Sequence, residues 1–218
     1  MTEAAWVAVG ASGGLAPGAV MRAVVRGTDL AVWRDPEGVV HAWRNQCPHR
    51  GMRLSFGYVD NDGRLACRYH GWRLAPDGKC GAIPAHPDQT PPDDISVTAF
   101  ASSEQDGLIW VALADAPLPG EIASTGEALV FCRSLVAHAS AELVADTVSG
   151  HETAPGIIRT ECAGAAVVLV LQPIEPRRTS IHLLAQANDA NQAARRLEVA
   201  AWGRALRHRI ETQVTADD

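Results

Sequence analysis

Apolar residues in the first half of the chain fall into short runs, 6–9, 19–25, 30–33, 39–43, 65–67, 95–100 and 108–113, and turn formers separate them. The punctuation is densest at Asp35-Pro36-Glu37-Gly38 and Asn61-Asp62-Gly63. Runs this short between such signals predict strands. Gly27, Gly38, Gly63 and Gly78 fall where tight turns need a residue without a Cβ. The expected product is a small antiparallel sandwich.

The second half has a different pattern. A β-type run over 129–133 leads into 135–148, and 165–171 is a continuous apolar strand. Residues 172–178, with Pro173 and Pro176, read as a turn, after which 180–184 returns as a hairpin partner. From Asp189 onward Val199, Trp202, Leu206 and Ile210 recur at helical spacing, so a long terminal helix is expected to lay an apolar stripe on that sheet. Pro117, Pro119, Gly120 and Gly126 mark a linker over 116–126. Two domains follow, 1–115 and 127–218, as the length of 218 residues allows.

Composition narrows the classes. A net charge of −6 gives no basic footprint for nucleic acid. The apolar-looking stretch 4–20 is interrupted by Gly10, Gly13, Gly14, Pro17 and Gly18 and lacks a basic leader, so it reads as neither signal peptide nor membrane span. The five cysteines show no disulfide framework, which suits a reducing compartment; a cytoplasmic location is expected. Gly10-Ala11-Ser12-Gly13-Gly14 has no following Lys and reads as a turn rather than a nucleotide loop.

The chemistry is concentrated in two boxes, Cys47-Pro48-His49-Arg50-Gly51 and Cys67-Arg68-Tyr69-His70-Gly71-Trp72. Two thiolates and two imidazoles can divide between two irons, Cys47 and Cys67 on one and His49 and His70 on the other. A zinc site of the same composition usually places both Cys in one arm and both His in the other; here each arm is mixed. The boxes resemble those of the Rieske proteins, over roughly residues 5 to 115, which implies a [2Fe-2S] cluster with outward-facing histidines as the electron exit. An oxidised core is near neutral with two thiolates, so an added electron favours protonated imidazoles and couples reduction to pH.

Respiratory Rieske proteins carry an extra cysteine in each box, joined as a disulfide. Met52 and Tyr69 stand there in this chain. Arg50, Tyr69 and Trp72 resemble instead the N-terminal domain of ring-hydroxylating oxygenases, and the missing disulfide implies a potential toward the low end of the family range of about −150 to +300 mV. Residues 77–84 resemble the hairpin and proline loop that shield the cluster, which makes Pro84, with Arg50, Tyr69 and Trp72, a residue expected beside the ligands. The same resemblance makes the fold mainly β, an antiparallel Rieske sandwich with cluster-binding loops followed by a small α+β helix-grip-like domain. That second domain is less than half the size usual in the family.

In ring-hydroxylating oxygenases the second domain holds a mononuclear iron(II) on two His and a carboxylate. Residues 139–147 resemble the lead-in to the ligand helix, but the ligand positions then fall on Gly150, Thr153 and Ile158. Asp146 and His151 are the residual candidates. His138, His182 and His208 lack a partner at helical spacing and read as solvated. Mononuclear Fe(II) is therefore not expected. The resemblance implies an oxidoreductase that transfers one electron, taking it from a reductase or ferredoxin and passing it to an oxygenase partner. The alternative is a true oxygenase with an atypical site or one completed by another subunit, and a homo-oligomer is compatible with either. No flavin or nicotinamide fingerprint is visible, so an external donor is required.

Overall fold

The computed structural model describes residues 6–114, 129–188 and 190–217. The expected linker and Asp189 lie outside the described residues. The first half forms strands Trp6–Ala11 (β1), Val20–Val25 (β2), Thr28–Arg34 (β3), Val40–Arg44 (β4), Tyr58–Val59 (β5), Leu65–Ala66 (β6), Arg73–Leu74 (β7), Cys80–Ala82 (β8), Ala99–Gln105 (β9) and Leu108–Ala112 (β10). β1-β10-β9-β4-β3-β2 make one antiparallel sheet, and the short strands β5-β6-β7-β8 a second. Val7, Val9, Val25, Leu30, Val32, Ile109 and Val111 fill the core of the larger sheet. Trp33, Trp43, Leu54, Leu65 and Leu74 pack between it and the small one.

β9 begins later than the apolar run predicts and consists mostly of polar residues. Its inner position explains this: it lies between β10 and β4, and its side chains find partners across the sheet. Ser102 donates to the Val40 carbonyl at 2.7 Å, and Glu104 accepts from Arg34 at 2.6 Å and 2.8 Å. Tertiary pairing outweighs propensity here.

The second half adds Leu129–Ala137 (β11), Ala141–Thr147 (α1), His151–Ala154 (β12), Ile157–Cys162 (β13), Ala165–Glu175 (β14), Arg178–Gln186 (β15) and Gln192–Asp217 (α2). The sheet order is β11-β15-β14-β13-β12. Side chains along β14 and β15 alternate between two buried faces. Val167, Leu169, Leu171, Ile181 and Leu183 face Val199, Leu206 and Ile210 of α2, whereas Val168, Val170 and Leu184 pack on Ala8, Leu108 and Trp110 of the first sheet. Burial on both faces is why 165–171 reads as an uninterrupted apolar run.

β14 extends through the expected proline turn to Glu175, with a register shift after Pro173. The β2–β3 turn secures that extension, because the Arg26 and Gly27 amides donate to the Pro173 and Ile174 carbonyls, each at 2.8 Å. α1 is capped by Ser140, whose hydroxyl accepts from the Leu143 amide at 3.2 Å. It stops at Thr147, and the chain turns into the β12–β13 hairpin.

Where α2 crosses the sheet it carries Gly203, and a Cβ there would lie 2.4 Å from Leu183 Cδ1 and 3.0 Å from Leu135 Cδ2. Gly203→Ala gains up to about 1 kcal/mol of helix propensity but overpacks a filled core, at about 1–3 kcal/mol. A net loss of about 1 kcal/mol is expected, read as a lower urea midpoint at unchanged m-value; a stabilised variant would show that the helix can lift off the sheet freely.

Candidate metal centre

The two boxes form loops of one construction, the first following β4 and the second joining β6 to β7. In each, the cysteine amide donates to the carbonyl five residues on, Cys47 to Met52 and Cys67 to Trp72, both at 2.8 Å. The glycine amide four residues on returns to the cysteine carbonyl, Gly51 to Cys47 and Gly71 to Cys67, both at 2.9 Å. Closing such a loop requires a left-handed residue, and Gly51 and Gly71 both sit at φ 72°. Gly71 is doubly constrained, since a Cβ would also lie 3.1 Å from Pro84 Cγ.

Both sulfurs point inward, Cys47 and Cys67 being 3% and 2% exposed among Leu54, Leu65, Leu74 and Val97. Burial, with the neighbouring Cys67 thiol adding to it, pushes the Cys47 thiol up to about 11. The Cys47 thiol stays protonated until a cation takes the place of its proton. The imidazoles lie further out. His49 and His70 have ring centroids 4.7 Å apart, and His49 is half-buried while His70 is exposed. Partial desolvation, then the charges of His70 and Arg50, hold His49 below the ordinary imidazole range.

The flanking aromatics hold these rings. Trp72 stacks on His49 at 4.3 Å and 4°, and Tyr69 lies over His70 at 3.7 Å and 30°. The second loop thus supplies an aromatic face to both imidazoles, Trp72 to the first loop's and Tyr69 to its own. Arg50 is exposed, and Met52 packs at the edge of the core around the cysteines. Among the described residues no group of three or more His, Cys, Asp or Glu side chains is gathered as a site for one ion. The loops instead offer a buried thiol pair and an outer imidazole pair, a donor set that fits a two-iron cluster with mixed ligation. Cys80, Cys132 and Cys162 are free thiols.

The second-domain candidates are placed apart in the secondary structure. Asp146 is exposed on α1, and His151 is exposed at the start of β12. No hydrogen bond or ion pair among the described residues joins them. His151 lines a groove of about 570 Å³ with Arg159, Glu161, Trp202 and Arg209, and Asp146 is not part of its wall. Gly150, Thr153 and Ile158 lie beside or on the β12–β13 hairpin; at Gly150 a Cβ would meet the Arg159 carbonyl oxygen at 2.4 Å.

His138 is exposed and pairs with Glu211 at 3.6 Å, and His208 is exposed on α2. His182 departs from its reading as a solvated residue, for it is 2% exposed in the layer between the two sheets. Its Nδ1 accepts from Ser134 Oγ at 2.7 Å, and its Nε2–H lies 3.2 Å from the Ala8 carbonyl and 3.1 Å from Gln172 Oε1. Gln172 in turn donates to the Val24 carbonyl at 2.9 Å. Burial drives the His182 pKa down to about 4. The signal for this was its alternate position in an apolar strand rather than any helical spacing.

Residues 5–100 match the Rieske [2Fe-2S] domain. That half of the chain is a Rieske domain, resembling those of ring-hydroxylating oxygenase components. The chain is 42% identical over 99 residues to the oxidoreductase NdmD of Pseudomonas putida, which covers 45% of this chain and 17% of that protein. It is 35% identical over 97 residues to the 3-chlorobenzoate-3,4-dioxygenase oxygenase subunit of Comamonas testosteroni, covering 44% of this chain and 22% of that one. It is 39% identical over 124 residues to the 4beta-methylsterol monooxygenase of Methylococcus capsulatus, covering 52% and 33%. The matched region thus spans about a third or less of these relatives' lengths.

Among solved structures, apo dicamba monooxygenase superimposes with a TM-score of 0.77 at 18% identity over 95% of this chain and 85% of that one. NdmA of Pseudomonas putida gives 0.70 at 21% over 96% and 79%. At such identities the likeness is one of fold, and the expected mainly β architecture of antiparallel sheets is borne out. No helix among the described residues is long and apolar enough to cross a membrane.

Proposed function

We propose that this chain is a one-electron carrier of an oxygenase-type system, loaded by a reductase or ferredoxin and discharged to an oxygenase partner. A bound [2Fe-2S] cluster supplies a reversible one-electron couple. Cys47 and Cys67 would hold it from inside through thiolates, and His49 and His70 from outside through imidazoles. Trp72 and Tyr69 keep those rings oriented, and the exposed edge of His70 gives the shortest way out. The apolar wall around the sulfurs excludes water. Buried free thiols fit a reducing, cytoplasmic setting.

The carrier reading rests on one observation above the rest. α1 ends at Thr147, and the chain turns into a hairpin where the oxygenase pattern would continue its ligand helix, with Gly150 pressed against a backbone carbonyl. A second reading, an oxygenase with an atypical site, draws on the groove beside His151. Iron and acid-labile sulfide measured on the purified chain separate the two. The carrier should contain them in equal amounts and take up no further iron(II). Iron in excess of sulfide, with substrate-dependent oxygen consumption lost in Asp146→Ala or His151→Ala, would favour the oxygenase.

A further inference from the structure

The surface around the two loops is positive on a chain that is negative overall. Residues 44–73 contain six arginines, Arg44, Arg50, Arg53, Arg64, Arg68 and Arg73, against the two carboxylates Asp60 and Asp62, whereas the whole chain carries −6. Those carboxylates are already engaged: Asp62 with Arg64, and Asp60 with Arg64 and Arg73 at 3.7 Å and 3.4 Å. Asp29, which also faces this end, is shared by Arg22 at 2.7 Å and Arg53 at 3.3 Å.

Arg44, Arg50 and Arg68 are exposed, and no carboxylate among the described residues pairs with them; Asp88, Asp93 and Asp94, in the segment after Pro84, make no ion pair with them either. Arg44 lines the same surface recess, about 330 Å³, as Cys47 and His49. Arg50 follows His49 directly. Arg68 precedes Tyr69, a residue 60% exposed whose ring covers His70.

We propose that this arginine-ringed end, centred on Tyr69 and the two imidazoles, is the docking surface for an acidic one-electron carrier, a small protein with a carboxylate-rich face around its own redox group. The proposal rests on the electron-carrier reading and names its partner. On a chain that is negative overall, this positive end attracts an acidic protein in an orientation that brings the redox groups together. One electron leaves the donor, oxidising it by one, and reduces one ferric iron of the cluster; no bond is made or broken.

The test uses the full cluster-loaded chain and Arg44→Glu/Arg68→Glu, with a plant-type [2Fe-2S] ferredoxin as probe. Binding is read by calorimetry with gallium-substituted ferredoxin, which transfers no electron, and transfer by stopped-flow with the reduced iron form. The double variant should bind at least about tenfold more weakly and be reduced about 10–100-fold more slowly at low ionic strength. The difference should shrink as salt shortens the Debye length. Reduction by a net-neutral sulfonated viologen, and the paramagnetic spectrum, should stay as in the unaltered chain. Equal ferredoxin binding by both proteins, or rates indifferent to salt, would overturn the docking surface while leaving the carrier reading intact. Arginine-dependent ferredoxin binding by a chain that also consumes oxygen with substrate by itself would support the surface and remove the carrier reading.

Discussion

Cys67→Ala should yield a folded chain devoid of acid-labile sulfide and of the visible absorption of an iron-sulfur centre. The loop that presents this thiol is closed by backbone, through the Cys67 amide on Trp72 and the Gly71 amide on Cys67. Removing the sulfur therefore spares the scaffold but leaves three donors for a cluster that needs four. Cys80→Ala supplies the contrast. That thiol is buried in the same apolar cluster and reaches the Ala82 carbonyl at 3.7 Å, yet it stands outside the boxes, so its loss should leave sulfide and colour in place. Equal effects of the two substitutions would mean that packing around the loops, and not ligation, governs retention. His49→Cys or His70→Cys should retain a cluster with an altered reduced-state paramagnetic spectrum, or lose it.

Acid should loosen the junction between the two halves well before ordinary carboxylates protonate. His182 is neutral in the fold, with a pKa near 4, because burial penalises its charged form. In the unfolded chain it takes up a proton near its ordinary value of about 6.5. Between those values the unfolded state binds more protons, so stability is full above about pH 6.5 and falls as the pH drops toward 4, by roughly 3 kcal/mol in all. Asp29, Asp35 and Glu104 have pKa values lowered in the fold, so they stabilise above their unfolded values and lose that contribution only at lower pH. Urea midpoints at pH 7 and pH 4.5 should differ markedly for the unaltered chain and much less for His182→Gln. Matching pH profiles for the two would place the acid sensitivity elsewhere.

The sequence by itself determined the parts that depend on neighbours along the chain. Paired Cys-His boxes, each with a glycine four residues after its cysteine, announce two loops of one construction, because the left-handed turn closing each loop is a local requirement. The stripe of Val199, Trp202, Leu206 and Ile210 foretold α2, three of the four being fully buried, because helical period is also local.

Tertiary structure decided the rest. Polar residues of β9 became an inner strand because Val40 and Arg34 supply their partners. Pro173 stayed within a strand because the β2–β3 turn donates to its carbonyl. Trp72 came to lie on His49 only when the two loops met. His182, one polar residue in an apolar strand, is buried because the face it occupies packs on the first sheet, where Ala8 and Gln172 take its hydrogen bond. Periodicity tells which residues share a face of a strand. What covers that face is set by partners distant in sequence, and burial and proton affinity follow from the covering.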